Sequence, residues 1–374
     1  MATSINSNTG VPLFTQKDIF ISGTDGYDTF RIPSIIVTQD GTILAFCEGR
    51  KHGRSDTGDI DLVLKRSFDG GSLWQPLQII WDDGANVCGN PCPVIDLATG
   101  TIWLLMTHNP GEDNEQAIRD KTSQGTRTVW ITKSTDDGAT WSMPKEITST
   151  TKKDNWTWYA TGPGVGIQLE NGRLIIPCDH GEAISKKYYS HIIFSDDGGK
   201  TWQLGGSASE KTDECHVVEL SDGTLLLNMR NYSGNRLRAI SKSRDGGMTW
   251  SPVTYDTMLY EPVCQASLLR FTSDSQSGKS RILFSNPASN TSRIMLTVRL
   301  SYDDCESWGV AKIVHPGPSA YSCLAILADK SIACLYERGD GHPYEKITFS
   351  RFNLEWLTDG KDSLRHRNHS SKKR

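Results

Sequence analysis

Several features that would place this chain in a familiar class of protein are missing from it. No apolar run approaches the roughly 18 residues that a membrane-spanning helix needs. The 374 residues carry 40 Lys and Arg against 44 Asp and Glu, with no basic stripe, so a nucleic-acid partner is not indicated. No long segment keeps a helical apolar period, and residues 115–121 predict at best one short helix.

The nine cysteines form no recognisable metal-ligand or disulfide pattern. They are scattered and odd in number, and the near pair Cys88 and Cys92 has no second pair with zinc-ligand spacing. We interpret them as mostly free, buried thiols, which weakly favours a reducing compartment. Residues 1–11 are polar and lack the apolar centre of a signal peptide. We therefore expect a cytoplasmic protein, or a secreted or periplasmic one if a leader has been removed.

What the chain does contain is a repeated turn, Ser-x-Asp-x-Gly-x-x-Trp. In such a turn the Asp carboxylate can accept hydrogen bonds from later amides, the Gly can take positive φ, and the Trp anchors the returning strand. Four copies keep the pattern, and a fifth has Cys305 in place of the glycine. The copies lie at residues 67–74, 134–141, 195–202, 243–250 and 301–308. Their recurrence indicates one supersecondary unit repeated along the chain.

Hairpin signals recur between these copies. Asp-Gly, Asn-Gly or Asp-Lys pairs stand between apolar runs at residues 40–41, 171–172, 222–223 and 329–330. We interpret the chain as successive four-strand units, each with an inner hairpin and an outer Asp/Trp turn. Four-stranded sheets repeated radially form a β-propeller, and the length accommodates six units of roughly 50–65 residues.

The predicted fold class is therefore all-β, a six-bladed β-propeller of four-stranded antiparallel blades. We expect a flexible N-terminal segment over residues 1–14, one propeller domain over residues 15–357 and a polar, basic, disordered tail over residues 358–374. The loops at one end of a propeller bring distant parts of the sequence together, so functional residues are expected there.

Three arginines stand near predicted strand ends. Arg31 lies in Phe-Arg-Ile-Pro before a strand, Arg230 ends another strand, and Arg293 begins a third. A single arginine of this kind is as easily the partner of a structural carboxylate. Three at matching positions of different blades could converge on one anion, because guanidinium groups bind carboxylates in bidentate fashion.

The repeated Asp turns, the Phe-Arg-Ile-Pro motif and the three arginines together resemble the exo-α-sialidase (neuraminidase) superfamily, in both its bacterial and its animal members. The resemblance covers about residues 15–352, and this combination of motifs is specific. It implies a six-bladed propeller, in agreement with the repeat, and a glycoside hydrolase that removes terminal sialic acid from glycoproteins, glycolipids and oligosaccharides. Sialylated glycans are the implied partners, and no cofactor or metal is implied.

The resemblance implies a substrate-binding set. It assigns Arg31, Arg230 and Arg293 to the carboxylate of sialic acid, Glu337 to bracing Arg31, and Arg50 and Asn90 to the neighbourhood of the ring substituents. Pockets for the acetamido and glycerol groups match poorly, and Trp158, Tyr159 and Glu115 are candidates there.

The resemblance also implies a catalytic set: Asp56 as general acid/base, Tyr321 as nucleophile and Glu214 as the base that takes the tyrosine proton. By spacing alone, Asp59 or Asp61 could equally be the acid, and the motif favours Asp56. Sialic acid carries a carboxylate on its anomeric carbon, and a neutral phenol avoids the repulsion that a carboxylate nucleophile would meet. Because the pKa of tyrosine is about 10, the phenol needs a base. A covalent sialyl-tyrosine implies retention of configuration.

Two alternatives stay open. One is transfer of the sialyl group, either to another sugar or to a hydroxyl of the substrate itself, as in trans-sialidases and intramolecular (anhydro) sialidases. The other is a non-catalytic sialoglycan-binding propeller, which predicts the loss of Tyr321, Glu214 or Asp56, and all three are present. The sequence does not indicate linkage preference or oligomeric state.

Overall fold

The structure, a computed structural model, describes residues 10–364. The predicted flexible N-terminal segment and the predicted disordered tail fall partly on residues 1–9 and 365–374, which lie outside the described residues. Within the described range, Asp362 accepts hydrogen bonds from Arg281, from Nε at 2.7 Å and from Nη2 at 2.8 Å.

Strands make up most of the regular structure. They are β1 (Phe14–Ile21), β2 (Thr29–Val37), β3 (Ile43–Arg50), β4 (Ile60–Ser67), β5 (Gln78–Trp81), β6 (Val87–Ile95), β7 (Ile102–Asn109), β8 (Thr128–Ser134), β9 (Lys145–Glu146), β10 (Trp156–Thr161), β11 (Ile167–Gln168), β12 (Leu174–Glu182), β13 (Tyr188–Ser195), β14 (Gln203–Glu210), β15 (Thr212–Glu219), β16 (Leu225–Asn231), β17 (Leu237–Ser243), β18 (Thr254–Tyr260), β19 (Ser267–Thr272), β20 (Arg281–Pro287), β21 (Ile294–Ser301), β22 (Val310–Ile326), β23 (Ile332–Arg338) and β24 (Lys346–Phe352).

The helices are short: α1 (Glu115–Asp120), α2 (Thr148–Thr151), α3 (Asp274–Ser277) and α4 (Leu354–Leu357). Helix α1 confirms the one predicted helix. The Asn114 side chain caps its first turn by accepting from the Ala117 amide, and Lys121 ends it at φ 57°. Among the described residues, no helix is both long enough and apolar enough to cross a membrane.

The strands form four sheets in chain order. Strands β15 to β18 make a four-stranded sheet, and β10, β12, β13 and β14 make another, to which β11 adds at β12. An eight-stranded sheet holds β2 to β9, and a seven-stranded sheet holds β19 to β24 together with β1. The predicted all-β class with four-stranded antiparallel sheets is confirmed. The number of blades stays a prediction.

Strand β1 pairs with β24, so the two ends of the described chain share one sheet. The pairing is antiparallel and runs from Phe14 opposite Phe352 to Ile21 opposite Lys346. Because loop-closure entropy grows only slowly with sequence separation, joining the two ends of the described chain in this way adds little cost beyond that of a shorter connection.

The predicted inner hairpins are all present. Each is closed by a backbone hydrogen bond across the turn: Gly41 N to Thr38 O at 3.0 Å, Gly172 N to Leu169 O at 2.9 Å, Gly223 N to Leu220 O at 3.0 Å, and Lys330 N to Leu327 O at 2.8 Å. The turn residues carry positive φ, from 66° at Lys330 to 92° at Gly172. These turns fix the register of the strands on either side.

The five Asp turns share one hydrogen-bond pattern. In the second copy, Ser134 Oγ donates to Asp136 Oδ1 at 2.8 Å, and the Thr140 amide donates to the same oxygen at 2.9 Å. Hydrogen bonds from the Thr140 side chain and amide lower the pKa of the Asp136 carboxyl to about 2. The amide of the glycine position donates back to the Ser oxygen, for example Gly138 N to Ser134 Oγ at 3.0 Å.

The fifth Asp turn keeps this pattern without its glycine. Cys305 occupies the glycine position at φ 70°, and its amide donates to Ser301 Oγ at 2.9 Å. The other copies use glycine for a second reason, close packing against a side chain from another strand. A Cβ at Gly199 would lie 2.1 Å from Nε1 of Trp103, and one at Gly71 would lie 2.2 Å from the Phe349 ring. The Asp turns therefore join neighbouring sheets as well as closing hairpins.

The apolar core lies between successive sheets. Strand β3 is buried along its whole length, and its side chains pack with those of β2, β4, β6, β7 and β23. All nine cysteines are free thiols, and all except the half-buried Cys305 are buried, as the sequence predicts. None of the Asp-turn residues lines the pocket described below.

We expect Trp202→Ala to destabilise the fold without changing the site. The Trp202 ring is 3% exposed, and its Nε1 donates to Gly199 O at 2.9 Å. Removing a fully buried ring of this size typically costs about 3–5 kcal/mol of unfolding free energy, measurable by urea denaturation. Trp250→Ala is the matched control, because that ring is only half-buried and should cost less. A stable Trp202→Ala variant that had lost its activity would place the Asp turns in the site.

Candidate active site

Side chains from distant parts of the chain line one pocket. Most of the residues proposed from sequence are among them: Arg31, Arg50, Asp56, Asn90, Glu214, Arg230, Arg293 and Tyr321. The remaining one, Glu337, is fully buried behind Arg31. Of the further candidates, Trp158 and Glu115 line the pocket. Tyr159 does not, because it faces the opposite side of β10, where its hydroxyl contacts His191 Nε2 at 3.0 Å.

The Glu337 carboxylate ties three parts of the site together. Its Oε1 accepts from Arg31 Nε at 3.1 Å and from the Ile32 amide at 2.9 Å. Its Oε2 accepts from the Tyr321 amide at 3.0 Å. Ile32 sits at φ 63°, which is strained for a β-branched residue and is held by the hydrogen bond to Glu337. The register of β2 shifts between Arg31 and Ser34 at this point, which turns Arg31 toward the pocket.

The three arginines converge, but not from matching positions. Arg31 lies on β2, the first strand of its sheet, Arg230 lies on β16, the second strand, and Arg293 directly precedes β21, the third strand. The expectation of equivalent blade positions is therefore wrong. The groups meet because the strand ends at one edge of several sheets border the same pocket.

The three guanidinium groups surround the Tyr321 side chain. Arg31 Cζ lies 5.2 Å and Arg293 Cζ 5.6 Å from the centre of the Tyr321 ring. Arg230 Nη1 donates to the Tyr321 hydroxyl at 3.1 Å. Tyr344 completes the group, since its ring lies 3.8 Å below Arg31 Cζ and its hydroxyl accepts from Arg293 Nη1 at 2.7 Å. The result is a concentrated positive charge with Tyr321 at its centre.

Tyr321 and Glu214 are directly hydrogen-bonded. The Tyr321 hydroxyl donates to Glu214 Oε1, and Arg230 Nη1 donates to Glu214 Oε2 at 2.7 Å. Burial, together with the Glu214 charge, raises the pKa of the Tyr321 phenol well above its usual value. Burial also raises the pKa of Glu214, although Arg230 opposes this. The Tyr321 hydroxyl and the Arg230 guanidinium thus each donate to one of the two Glu214 oxygens.

Asp56 also lines the pocket, from the loop after β3. Its Oδ1 lies 2.7 Å from Arg50 Nη2 and 3.8 Å from Arg31 Nη1, and 65% of its side chain is exposed. Burial alone would raise the pKa of the Asp56 carboxyl, but the charges of Arg50 and Arg31 outweigh it, so that pKa lies below its usual range. Arg50 is itself oriented by Glu48, which accepts from Arg50 Nε at 3.0 Å.

The neighbouring acids, Asp59 and Asp61, do not line the pocket. With Asp82 they form a cluster whose carboxylate oxygens lie within 4.8 Å of one another. Lys51 Nζ lies within this cluster, 3.0 Å from Asp59, 3.2 Å from Asp61 and 3.7 Å from Asp82. The ammonium group therefore serves as the counter-ion of these carboxylates.

Asn90 marks a wall of the pocket that the sequence only partly indicates. Asn90 has a φ of 53°, and its backbone N–H donates to Glu48 Oε1 at 2.9 Å. Its side-chain oxygen accepts from Thr107 Oγ1 at 3.0 Å and from Arg127 Nη2. Arg127 is buried, forms no ion pair with a carboxylate among the described residues, and stacks on Trp158 with Cζ 4.1 Å from the ring centre.

Sequence reasoning misses several pocket residues. They are Glu48, Arg127, Asp179, Tyr188, Asp213, Tyr232 and Tyr344. One had a usable signal: Glu48 lies two residues before Arg50 and so shares its face of β3. Asp213 directly precedes Glu214 and would point away from it in a regular strand, but the register of β15 shifts between Thr212 and Cys215. The others stand in no motif, and only the assembly of the sheets brings them to the pocket.

The chain is similar in sequence to known proteins. Residues 41–334 match the BNR repeat-like domain family. The exo-alpha-sialidase of Aspergillus fumigatus is 35% identical over 93% of this chain and 91% of its own length. The chain belongs to the sialidase family.

Other sialidases extend this finding. The sialidase of Micromonospora viridifaciens is 35% identical over 93% of the chain, which spans only 55% of that relative. The solved structure of the Hadza microbial sialidase Hz136 matches with a TM-score of 0.84 and 30% identity, over 92% of this chain and 69% of that one. Sialidases are glycoside hydrolases, so the chain is an enzyme of that class. The family assignment made from the motifs is confirmed.

In this sialidase, Arg50→Gln should raise the pKa of Asp56. The ion pair with Arg50 favours the charged carboxylate, so removing the cation shifts the titration of Asp56 to higher pH. The shift can be followed by NMR of ¹³C-labelled aspartate carboxyls. Arg54→Gln is the control, because the Arg54 side chain forms no ion pair with Asp56 among the described contacts. An unchanged Asp56 titration in Arg50→Gln would contradict this account.

Proposed function

We propose that this chain is a retaining exo-α-sialidase that hydrolyses terminal sialic acid from glycoproteins, glycolipids and oligosaccharides through a covalent sialyl-tyrosine. The observation that carries the proposal is the position of the Tyr321 hydroxyl. It is hydrogen-bonded to Glu214 and Arg230 and lies among three guanidinium groups. Sialic acid is a sugar whose anomeric carbon bears a carboxylate, and this arrangement suits that group.

The arginines supply the binding step. Arg31, Arg230 and Arg293 together offer several N–H donors to one carboxylate in a pocket of low solvent access. A carboxylate bound among them would bring the adjacent anomeric carbon close to the Tyr321 hydroxyl. Glu337 holds Arg31 in place for this role through its hydrogen bonds to Nε and Nη2.

Tyr321 and Glu214 supply the nucleophilic step. The phenol attacks the anomeric carbon while its proton passes to Glu214 Oε1, so no free phenolate need exist beforehand. The neutral phenol also avoids repulsion from the substrate carboxylate, which an anionic nucleophile would meet. In the second half of the reaction, water attacks the same carbon and the proton returns to the phenol oxygen.

Asp56 supplies general acid/base catalysis at the leaving oxygen. Among Asp56, Asp59 and Asp61, Asp56 alone lines the pocket, and its side chain is largely exposed. The protonated acid assists departure of the aglycone, and the carboxylate then activates the incoming water. Because the pKa of Asp56 is lowered, the protonated form decreases as pH rises from acid, so we expect hydrolysis of natural sialosides to be fastest at acidic pH.

We also infer that the sheets are six blades of one catalytic domain over residues 15–357. Strand β22 pairs with β21 up to Pro318 and with β23 from Ser319, so it can serve two successive blades. The eight-stranded sheet is joined in its middle by a single parallel pair, Ile60 with Val87. Dividing the sheets at these two points leaves six four-stranded groups, with β11 as an addition to one of them.

Hydrolysis is proposed over sialyl transfer because curated relatives that align over about 90% of their length are named exo-alpha-sialidases. Transfer to an added sugar acceptor, or release of an anhydro product, would assign the chain to the transferase alternative. Absence of any turnover of α2,3-, α2,6- and α2,8-linked substrates would favour the non-catalytic binding alternative.

A fluorinated sialosyl fluoride should trap a covalent adduct on Tyr321. Fluorine next to the anomeric centre slows hydrolysis of the intermediate, so the adduct accumulates and mass spectrometry should place it on the peptide with residues 319–322. Tyr321→Phe keeps the ring but deletes the attacking oxygen, and it should fold normally without forming the adduct. Glu214→Gln should slow adduct formation without moving it, because only the base is lost.

Two results would contradict the nucleophile. One is an adduct on Glu214 or Asp56. The other is an inverted anomer as the first product in NMR spectra of the reaction, because a single displacement would then replace the double one.

Asp56→Ala should lose far more activity on natural sialosides than on aryl sialosides. A good leaving group departs without protonation, so only the natural substrates depend on the acid, whose contribution is typically about 10²- to 10⁴-fold. Asp59→Ala is the matched control, since Asp59 pairs with Lys51 outside the pocket and should affect both substrates alike. Equal losses on both substrates in Asp56→Ala would remove Asp56 from this role.

A further inference from the structure

One buried carboxyl in the pocket wall has no hydrogen-bond donor. Asp179, on β12, is 0% exposed, and neither of its side-chain oxygens receives a hydrogen bond from a described residue. An ionised carboxylate buried without donors is strongly disfavoured in a protein interior. Asp179 must therefore either carry a proton or pair with a cation, and no cation forms an ion pair with it among the described residues.

Carboxyls at the equivalent position of two other strands do have hydrogen-bond donors. Glu48, Asp179 and Glu337 are each the sixth residue of the second strand of a four-strand group, on β3, β12 and β23. Glu48 and Glu337 each accept an amide from the next strand group and an arginine, Arg50 or Arg31. Asp179 occupies the same register but has neither kind of partner. Of the three carboxyls that share this position, Asp179 is therefore the one without an amide or arginine donor.

Another carboxyl lies beside Asp179 in the wall of the pocket. Asp213, on β15, lines the same pocket, and Ser190, which lies opposite Asp179 on β13, donates from Oγ to the Asp213 carbonyl oxygen. Two carboxyls that lie side by side in a buried wall disfavour ionisation of both, so one of them is expected to hold a proton. Of Asp179 and Asp213, only Asp213 has a described ion pair: its Oδ2 lies 3.5 Å from Arg230 Nε. That nitrogen is buried and has no other hydrogen-bond acceptor. The charge therefore belongs on Asp213 and the proton on Asp179.

The remaining groups around Asp179 agree with this assignment. Glu214 on β15 and Glu115 on α1 add further negative charge, and burial and these acids raise the pKa of the Asp179 carboxyl well above its usual range. Tyr159 on β10 and the thiols of Cys178 on β12 and Cys215 on β15 are uncharged neighbours, and the pKa of each is raised. The nearby cation Arg127 is engaged by the neutral side chains of Asn90, Thr107 and Asn109.

We propose that Asp179 is a protonated carboxylic acid that donates a hydrogen bond to Asp213 and so keeps Glu214, the adjacent residue on β15, ionised and aligned with Tyr321. This inference rests on the proposed role of Glu214 as the base for Tyr321. Asp179 is a positioning residue, since it acts through Asp213 and Glu214. An ionised Asp179 would add a further negative charge beside Glu214 and favour protonation of Glu214, which would then be unable to accept the phenol proton.

Infrared spectroscopy tests the proton without any turnover. At neutral pH, the difference spectrum of the parent enzyme minus Asp179→Asn should contain the carbonyl-stretch band of a protonated carboxylic acid. The same band should persist in Asp213→Asn, because the proton lies on the other member of the pair. A difference spectrum with only carboxylate bands would overturn the assignment, whether or not Tyr321 is the nucleophile.

Kinetics test the coupling to Glu214. On an aryl sialoside, which needs no acid, kcat/KM should fall on the acid side as Glu214 becomes protonated. Asp179→Asn, neutral like the protonated acid, should keep the midpoint of this limb. Asp213→Asn removes a charge that raises the pKa of Glu214, so the limb should move to lower pH. Equal shifts in both variants would show that Asp179 is ionised and would overturn the proposal.

The hydrogen bond is tested by replacing its donor. Asp179→Leu fills the space but cannot donate, and loss of a hydrogen bond to a charged group should lower kcat by roughly 10- to 100-fold. Asp179→Asn retains an N–H donor and should recover most of this loss. If Leu performed as well as Asn, Asp179 would only fill space, and its role in positioning Glu214 would be excluded.

Discussion

The hydrogen bonds of the Glu337 carboxylate are the contacts on which the rest of the site depends. One side chain orients Arg31, holds the Ile32 backbone at positive φ and fixes the Tyr321 amide. A fully buried carboxylate is tolerable only because all of these donors converge on it. If one donor were removed, the remaining donors would not fully stabilise the buried charge of Glu337. The positions of Arg31 and of Tyr321, the proposed nucleophile, therefore depend on the same carboxylate.

The pocket divides into regions of opposite charge. Arg31, Arg230 and Arg293 surround Tyr321, while Asp179, Asp213, Glu214 and Glu115 form the adjoining wall. Arg230 and Glu214 lie where the two regions meet, and Tyr321 donates its hydroxyl proton across that boundary. Such a juxtaposition pushes apart the proton affinities of neighbouring groups, which is the condition that acid–base chemistry at a single site requires.

Much of this could be predicted from the sequence, and the reason is the repeat. The Asp turns and inner hairpins are local patterns, so the strand-rich fold, the turns and the single notable helix α1 follow from short stretches of sequence. Phe-Arg-Ile-Pro similarly marks Arg31. Arg127 and Asp179 stand in no local pattern, and their positions depend on how the sheets meet. The arginines illustrate the limit: Arg31, Arg230 and Arg293 line one pocket, but they reach it from different strand positions and not from the matching ones that the sequence suggests. Where they meet depends on how the sheets are placed, which no local pattern encodes.

The pairing of β1 with β24 has a consequence for biosynthesis. Arg31 and Glu337 are 306 residues apart, and β1 cannot find its sheet partner before the last strand has been made. During translation, the early sheets can form while Arg31 still lacks its carboxylate and Ile32 its amide acceptor. The nascent enzyme therefore remains incompetent until almost all of the described chain has left the ribosome. A ribosome that stalls partway would release a partly folded but catalytically inert fragment.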